Sequence, residues 1–158
     1  MEGWFAKSVL ATISIVPAFL AIPFFRKMGV DPLVFLVWYF GATSVSIAAL
    51  LLLSGRGTEL IPSVSVVAGA SVIGLTFGAV ANGSLFQAIG MAPNPGMPPV
   101  IYATSSVIVF ALSALLAKTV PSLFSPVSTA PGRLVGIGLV LSGLYLLAGG
   151  RITNPFRF

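Results

Sequence analysis

The chain has no cysteine and no histidine. These absences exclude disulfides, thiolate nucleophiles, imidazole general bases and the commonest side-chain ligands of zinc, copper and haem. No metal and no cofactor is therefore expected. Acid is nearly missing too: the only carboxylate side chains are Glu2, Asp31 and Glu59, each at the end of an apolar run or between runs. A nucleophile activated by a base, or a buried carboxylate relay for protons, has no residues to be built from, so enzymatic chemistry is not expected. Charged residues of both signs make up 7% of the 158 residues, against about 25% in an ordinary soluble domain.

What is present is apolar. Hydrophobic residues make up 57% of the chain, and a water-soluble surface built from such a sequence would be one continuous apolar patch. The solvent is therefore the lipid bilayer. The net charge of +5 comes from Lys7, Arg26, Lys27, Arg56, Lys118, Arg133, Arg151 and Arg157, scattered singly or in pairs between apolar runs. That spacing marks membrane-interface flanks and not a phosphate-binding stripe, so nucleic acid is not an expected partner.

A crossing helix needs about 20 mainly apolar residues. Five windows meet this, at about 8–25, 33–53, 61–86, 100–117 and 133–150. The expected fold is an all-α membrane protein: a five-transmembrane-helix bundle forming one integral membrane domain over residues 1–158, multi-pass in a plasma or inner membrane. The third run extends to about Gly90, too long for one straight crossing, and is expected to tilt or to end near Phe86 in an interfacial turn. Pro17 and Pro23 interrupt the first window, where they predict an ordinary kink or a broken helix of the transporter kind. Lys7 ahead of an apolar stretch with Ala18 and Ala21 has some features of a signal peptide, but the length of the run and the Arg26, Lys27 flank favour a retained helix.

Five crossings put Lys7, Arg56, Lys118 and Arg133 on one side and Arg26, Lys27, Arg151 and Arg157 on the other, four against four. The positive-inside rule then selects no orientation. Either a partner or the order of insertion sets the topology, or two copies insert oppositely as an antiparallel dimer.

Two patterns recur within the windows. Ala70, Gly74, Gly78 and Asn82 follow one another at intervals of four, and the fifth window carries Gly132, Gly136, Gly138, Ser142 and Gly143. Small residues let another backbone approach closely, so Ala70, Gly74, Gly78, Gly136 and Gly143 are expected to pack helices, within the chain or between chains. The densest polar group is Asn82, Ser84 and Gln87 with Tyr102, Thr104, Ser105 and Ser106. Polar groups at membrane depth are costly unless paired or facing water, so these residues either line a cavity or bond helices three and four together.

The order of features resembles a single EamA-like repeat of the drug/metabolite transporter superfamily over nearly the whole chain. The resemblance is carried by FFRKMGVDPLVFLVWYFGATSVSIAALLLLSGRG (24–57), by ANGSLFQAIGMAPNPGMPPVIYATSSVIVFALSALL (81–116) with its A-x-x-x-A-P turn, and by GRLVGIGLVLSGLYLLAGG (132–150). It implies one half of a transporter made of two inverted five-helix repeats that moves metabolites, sugars, amino acids or drugs. The present sequence departs by holding one repeat, so a homodimer of opposite orientation or a related membrane subunit would complete the pair. In size it is also similar to the small multidrug resistance transporters, which depend on an acidic residue in the first helix. Here that helix has none, and proton-coupled export of cationic drugs is not expected. The expected function is passage of a small polar solute, with Asn82, Gln87, Tyr102, Thr104 and Ser105 as lining residues. The alternative is a non-catalytic structural or accessory subunit of a larger membrane complex.

Overall fold

The computed structural model describes residues 3–124 and 131–147, and among the described residues the regular structure is helical, without strands. Four helices are long and apolar enough to cross a membrane: α1 (Gly3–Lys27), α2 (Pro32–Leu53), α3 (Val64–Met91) and α4 (Met97–Thr119). At about 1.5 Å per residue each exceeds the roughly 30 Å hydrocarbon core. The chain is thus a multi-pass integral membrane protein. A shorter helix, α5, covers Pro131–Leu147. The last three residues of the fifth expected window, Pro126, and the tail with Arg151 and Arg157 lie outside the described residues.

Helix ends follow local chemistry. Arg26 and Lys27 in the last turn of α1 favour the negative end of the helix dipole, so the helix runs on to Lys27, beyond the expected residue 25. It then stops at Gly29, whose φ of 85° is costly for any residue with a Cβ. The Gly29 amide donates to the Arg26 carbonyl and Val30 to Phe25, which closes the end in a Schellman turn. Asp31 caps α2 by accepting from the Leu33 amide at 2.7 Å, with Pro32 in the first turn. Gly55, with φ of 75°, ends α2 the same way, Arg56 donating to Leu51 at 2.8 Å.

Three further boundaries differ from expectation for clear reasons. Residues 61–63 stay outside α3, because a 3₁₀ turn at Gly57–Leu60 precedes them and Pro62 keeps Ile61 out of the helical region. At the other end α3 continues past Phe86 to Met91, because Phe86 and Ile89 are packed and hold the last turns in place; Ala92, before Pro93, is extended. Helix α4 starts at Met97 and not at residue 100, since Pro98 and Pro99 sit in the first turn, where a missing N–H costs nothing. Pro17 and Pro23 both lie inside a continuous α1.

The contacts fall into two compact units, Met1–Pro95 and Gly96–Phe158. In the first, α1, α2 and the Ala79–Met91 half of α3 surround a small core of Ile22, Leu85, Phe86 and Ile89. Phe86 is its centre, with the rings of Phe19, Phe35, Tyr39 and Phe40 at centroid distances of 6.0–6.3 Å. In the second unit α4 packs on α5, and Ala117 is buried. Most other large apolar side chains face outward, as lipid contact requires.

Candidate functional site

Serine and threonine hydroxyls in these helices mostly turn back on their own backbone. Thr12 donates to the Ser8 carbonyl, Thr43 to Tyr39, Ser46 to Ala42, Thr76 to Val72 and Ser142 to Gly138, all at 2.7–2.9 Å. Such bonds satisfy a donor at membrane depth without calling on a neighbour. A polar side chain that matters for recognition has to be found by its position, not by its type alone.

Asn82 is in such a position. Beside it, α3 changes winding: Gly74–Gly78 form a π turn, in which the Ala79 amide reaches five residues back to the Gly74 carbonyl. π turns are rare and occur often at functional sites. Next to this turn lies a groove of about 270 Å³ lined by Leu36, Phe40, Gly74, Gly78, Ala79 and Asn82. The Asn82 side chain is half-buried, and its Nδ2 donates to the Gly78 carbonyl at 2.9 Å. That bond leaves Oδ1 as an acceptor on a wall that is otherwise apolar and aromatic. Among the described residues no titratable side chain lines the groove.

The other expected lining residues lie elsewhere. Gln87 is exposed; five positions on from Asn82 it sits about 140° around α3, while Phe86 and Ile89 stay near the Asn82 side. Tyr102, Thr104 and Ser105 belong to the second unit, at the Ala103 break in α4. There the Thr104 hydroxyl donates to the Ile101 carbonyl at 2.7 Å, and Tyr102 and Ser105 are exposed. An open apolar groove of about 560 Å³ in this unit is lined instead by Ala103, Ser106, Val107, Phe110, Gly136, Ile137 and Val140.

The small residues divide in a way spacing did not reveal. A methyl group added at Gly74, Gly136 or Gly143 would meet no atom within 4 Å, and at Gly78 only the Ile73 carbonyl oxygen at 3.7 Å; Ala70 is exposed. Within the crossing helices neighbours press on Gly90, where a Cβ would stand 2.8 Å from Pro32 Cγ and 3.4 Å from Arg26 Cδ, while a Cβ at Gly83 would make ordinary contact with Leu33 Cδ2 at 3.5 Å; in the loop, one at Gly57 would stand 2.9 Å from Leu52 Cδ2. The Arg26 guanidinium donates to the Gly90 carbonyl, tying the end of α1 to the end of α3. Arg26 reads in sequence as an interfacial flank, and only its sequence-distant partner shows its second task.

Outside the spans, the loop before α3 holds a bidentate pair. Arg56 Nε donates to Glu59 Oε1 at 2.8 Å and a terminal nitrogen to Oε2 at 2.5 Å. The guanidinium hydrogen bond holds the Glu59 carboxyl below its ordinary range, and the carboxylate in turn raises Arg56. Both side chains are exposed, so the pair orders the turn at Gly57–Leu60 more than it stabilises the fold.

The chain matches no family model, no curated protein and no solved structure.

Proposed function

We propose that the chain is a five-span half of a small-solute transporter of the drug/metabolite type, acting with an oppositely inserted second copy or with a related half. The observation that carries this reading is the groove at Asn82: an amide acceptor held half-buried at membrane depth, beside a wide turn in a crossing helix. Because no titratable group among the described residues lines that groove, the solute it suits is small, polar and uncharged. The even distribution of basic residues supports insertion in both senses. Transport would proceed by rocking one half against the other around a site near the midplane. Gln87, Tyr102, Thr104 and Ser105 are secondary candidates for contact with solute.

A second reading, an accessory subunit of a larger membrane complex, has its own support. The open space over Gly74, Gly136 and Gly143 suits the close approach of a helix from another chain.

Single cysteines at Met28 and Thr58, in the loops on either side of α2, separate the two readings. The labelling background is clean because the native chain has no cysteine. Labelling of each site from both faces in comparable amounts is the expected result. One dominant orientation would exclude an antiparallel homodimer, and copurification with a larger unrelated protein would then move the assignment to the accessory subunit. A panel of neutral solutes, read by thermal unfolding with Trp4 and Trp38 fluorescence, should give shifts that Asn82→Leu abolishes.

A further inference from the structure

Helix α3 is two halves of different character joined by the π turn. The half from Ala79 to Met91 carries the core residues and packs on α1 and α2. The half from Val64 to Ile73 packs, among the described residues of the first unit, on nothing but the turn it runs into, and all its side chains are exposed. At the two edges of the turn a side chain supplies an extra donor to the backbone, Thr76 to the Val72 carbonyl at 2.7 Å and Asn82 to the Gly78 carbonyl at 2.9 Å. Gly74 and Gly78 bound the turn with room beside them for a methyl group, so crowding among the described residues is not why they are glycine. They weaken the preference for α winding at this one place.

The winding decides which residues face the groove. In a continuous α-helix, residues four apart drift by about 40° per step, so Ala70, Gly74, Gly78 and Asn82 would spread over about 120°. A π turn holds one residue more than an α turn, which removes about 100° of that drift. In the π winding Gly74 and Ala70 therefore line up with Asn82. In an α winding the same line would pass through Leu75 and Ser71.

We propose that the π turn is a register switch that opens and closes the groove at Asn82. Rewinding Gly74–Gly78 to α turns the Val64–Ile73 half by about 100° and shifts it by about 1.5 Å along its axis. Leu75, now 77% exposed, then swings toward Leu36 and Phe40 in place of Gly74 and fills the space beside Asn82. The core half does not move, because Phe86 and Ile89 are held by α1 and α2. The switch stands on the helix geometry and does not depend on what the groove binds.

Paired cysteines introduced without any native background report the register directly. Leu36→Cys with Gly74→Cys cross-links in the π winding, and Leu36→Cys with Leu75→Cys in the α winding. Both pairs are expected to cross-link in membranes. Gly78→Ala, which has room for its methyl group, should raise the yield of the Leu75 pair relative to the Gly74 pair about threefold to fivefold. Deletion of Thr76, which removes the extra residue and leaves only an α winding with Gly74 seven positions before Asn82, should keep the Gly74 pair and abolish the Leu75 pair. Cross-linking through Gly74 alone, with a ratio that Gly78→Ala does not move, would show a static π turn and overturn the proposal. That outcome would leave the solute-binding test at Asn82 unaffected.

Discussion

Phe86→Ala tests whether the first unit is held by one aromatic centre. The side chain is 2% exposed and is ringed by Phe19, Phe35, Tyr39 and Phe40. In a water-soluble protein such a truncation costs about 3–5 kcal/mol, part of it the transfer of apolar surface from water. Lipid tails are as apolar as the core, so that part falls away here and only packing remains. A cavity of about 100 Å³ at about 24 cal/mol per Å³ costs about 2.4 kcal/mol. Lost ring contacts, at about 0.5–1.5 kcal/mol for a good pair, bring the expected loss to about 3 kcal/mol. Equilibrium unfolding in mixed lipid and detergent micelles, with a matched variant on the lipid face, measures it. Phe77 on the same helix is 74% exposed, and Phe77→Ala should change stability by less than about 0.5 kcal/mol. Phe86→Leu, which keeps most of the volume, should lose about 1 kcal/mol. Equal losses for Phe86→Ala and Phe77→Ala would refute the three-helix core.

Three further outcomes follow from local geometry. Gly90→Ala would push a methyl group to 2.8 Å from the Pro32 ring, so it should lose about 1–3 kcal/mol in the same unfolding assay, whereas Gly74→Ala, with open space, should lose nothing. Gly29→Ala, at φ of 85°, should cost about 1 kcal/mol through strain in the α1–α2 turn. For the loop pair, Glu59 has its proton affinity depressed by Arg56, so whatever the pair contributes is present above the ordinary carboxylate range and is lost as pH falls through the lowered midpoint. A carboxyl NMR titration should therefore place Glu59 below the usual value and return it upward in Arg56→Gln; an unchanged midpoint would show that the pair does not form in the membrane-bound protein.

Membrane class and the location of the long helices follow from composition, because a run of about 20 apolar residues in lipid can satisfy its backbone only as a helix. Turn chemistry was equally local. Gly29, Asp31, Pro32 and Gly55 end and start helices through bonds to residues at most five positions away. What sequence could not assign was the inward face of each helix. In a soluble helix the polar stripe marks the outside, but a helix with lipid on one side and protein on the other is apolar all round, and its pattern carries no phase. Hence Gly74 and Gly78 read as packing residues while the helix glycine pressed by a neighbour is Gly90, and Gln87 grouped with Asn82 although it points about 140° away. Phe86 as an aromatic centre, the Arg26 bond to Gly90 and the π turn beside Asn82 all depend on contacts or winding that only the folded helices supply.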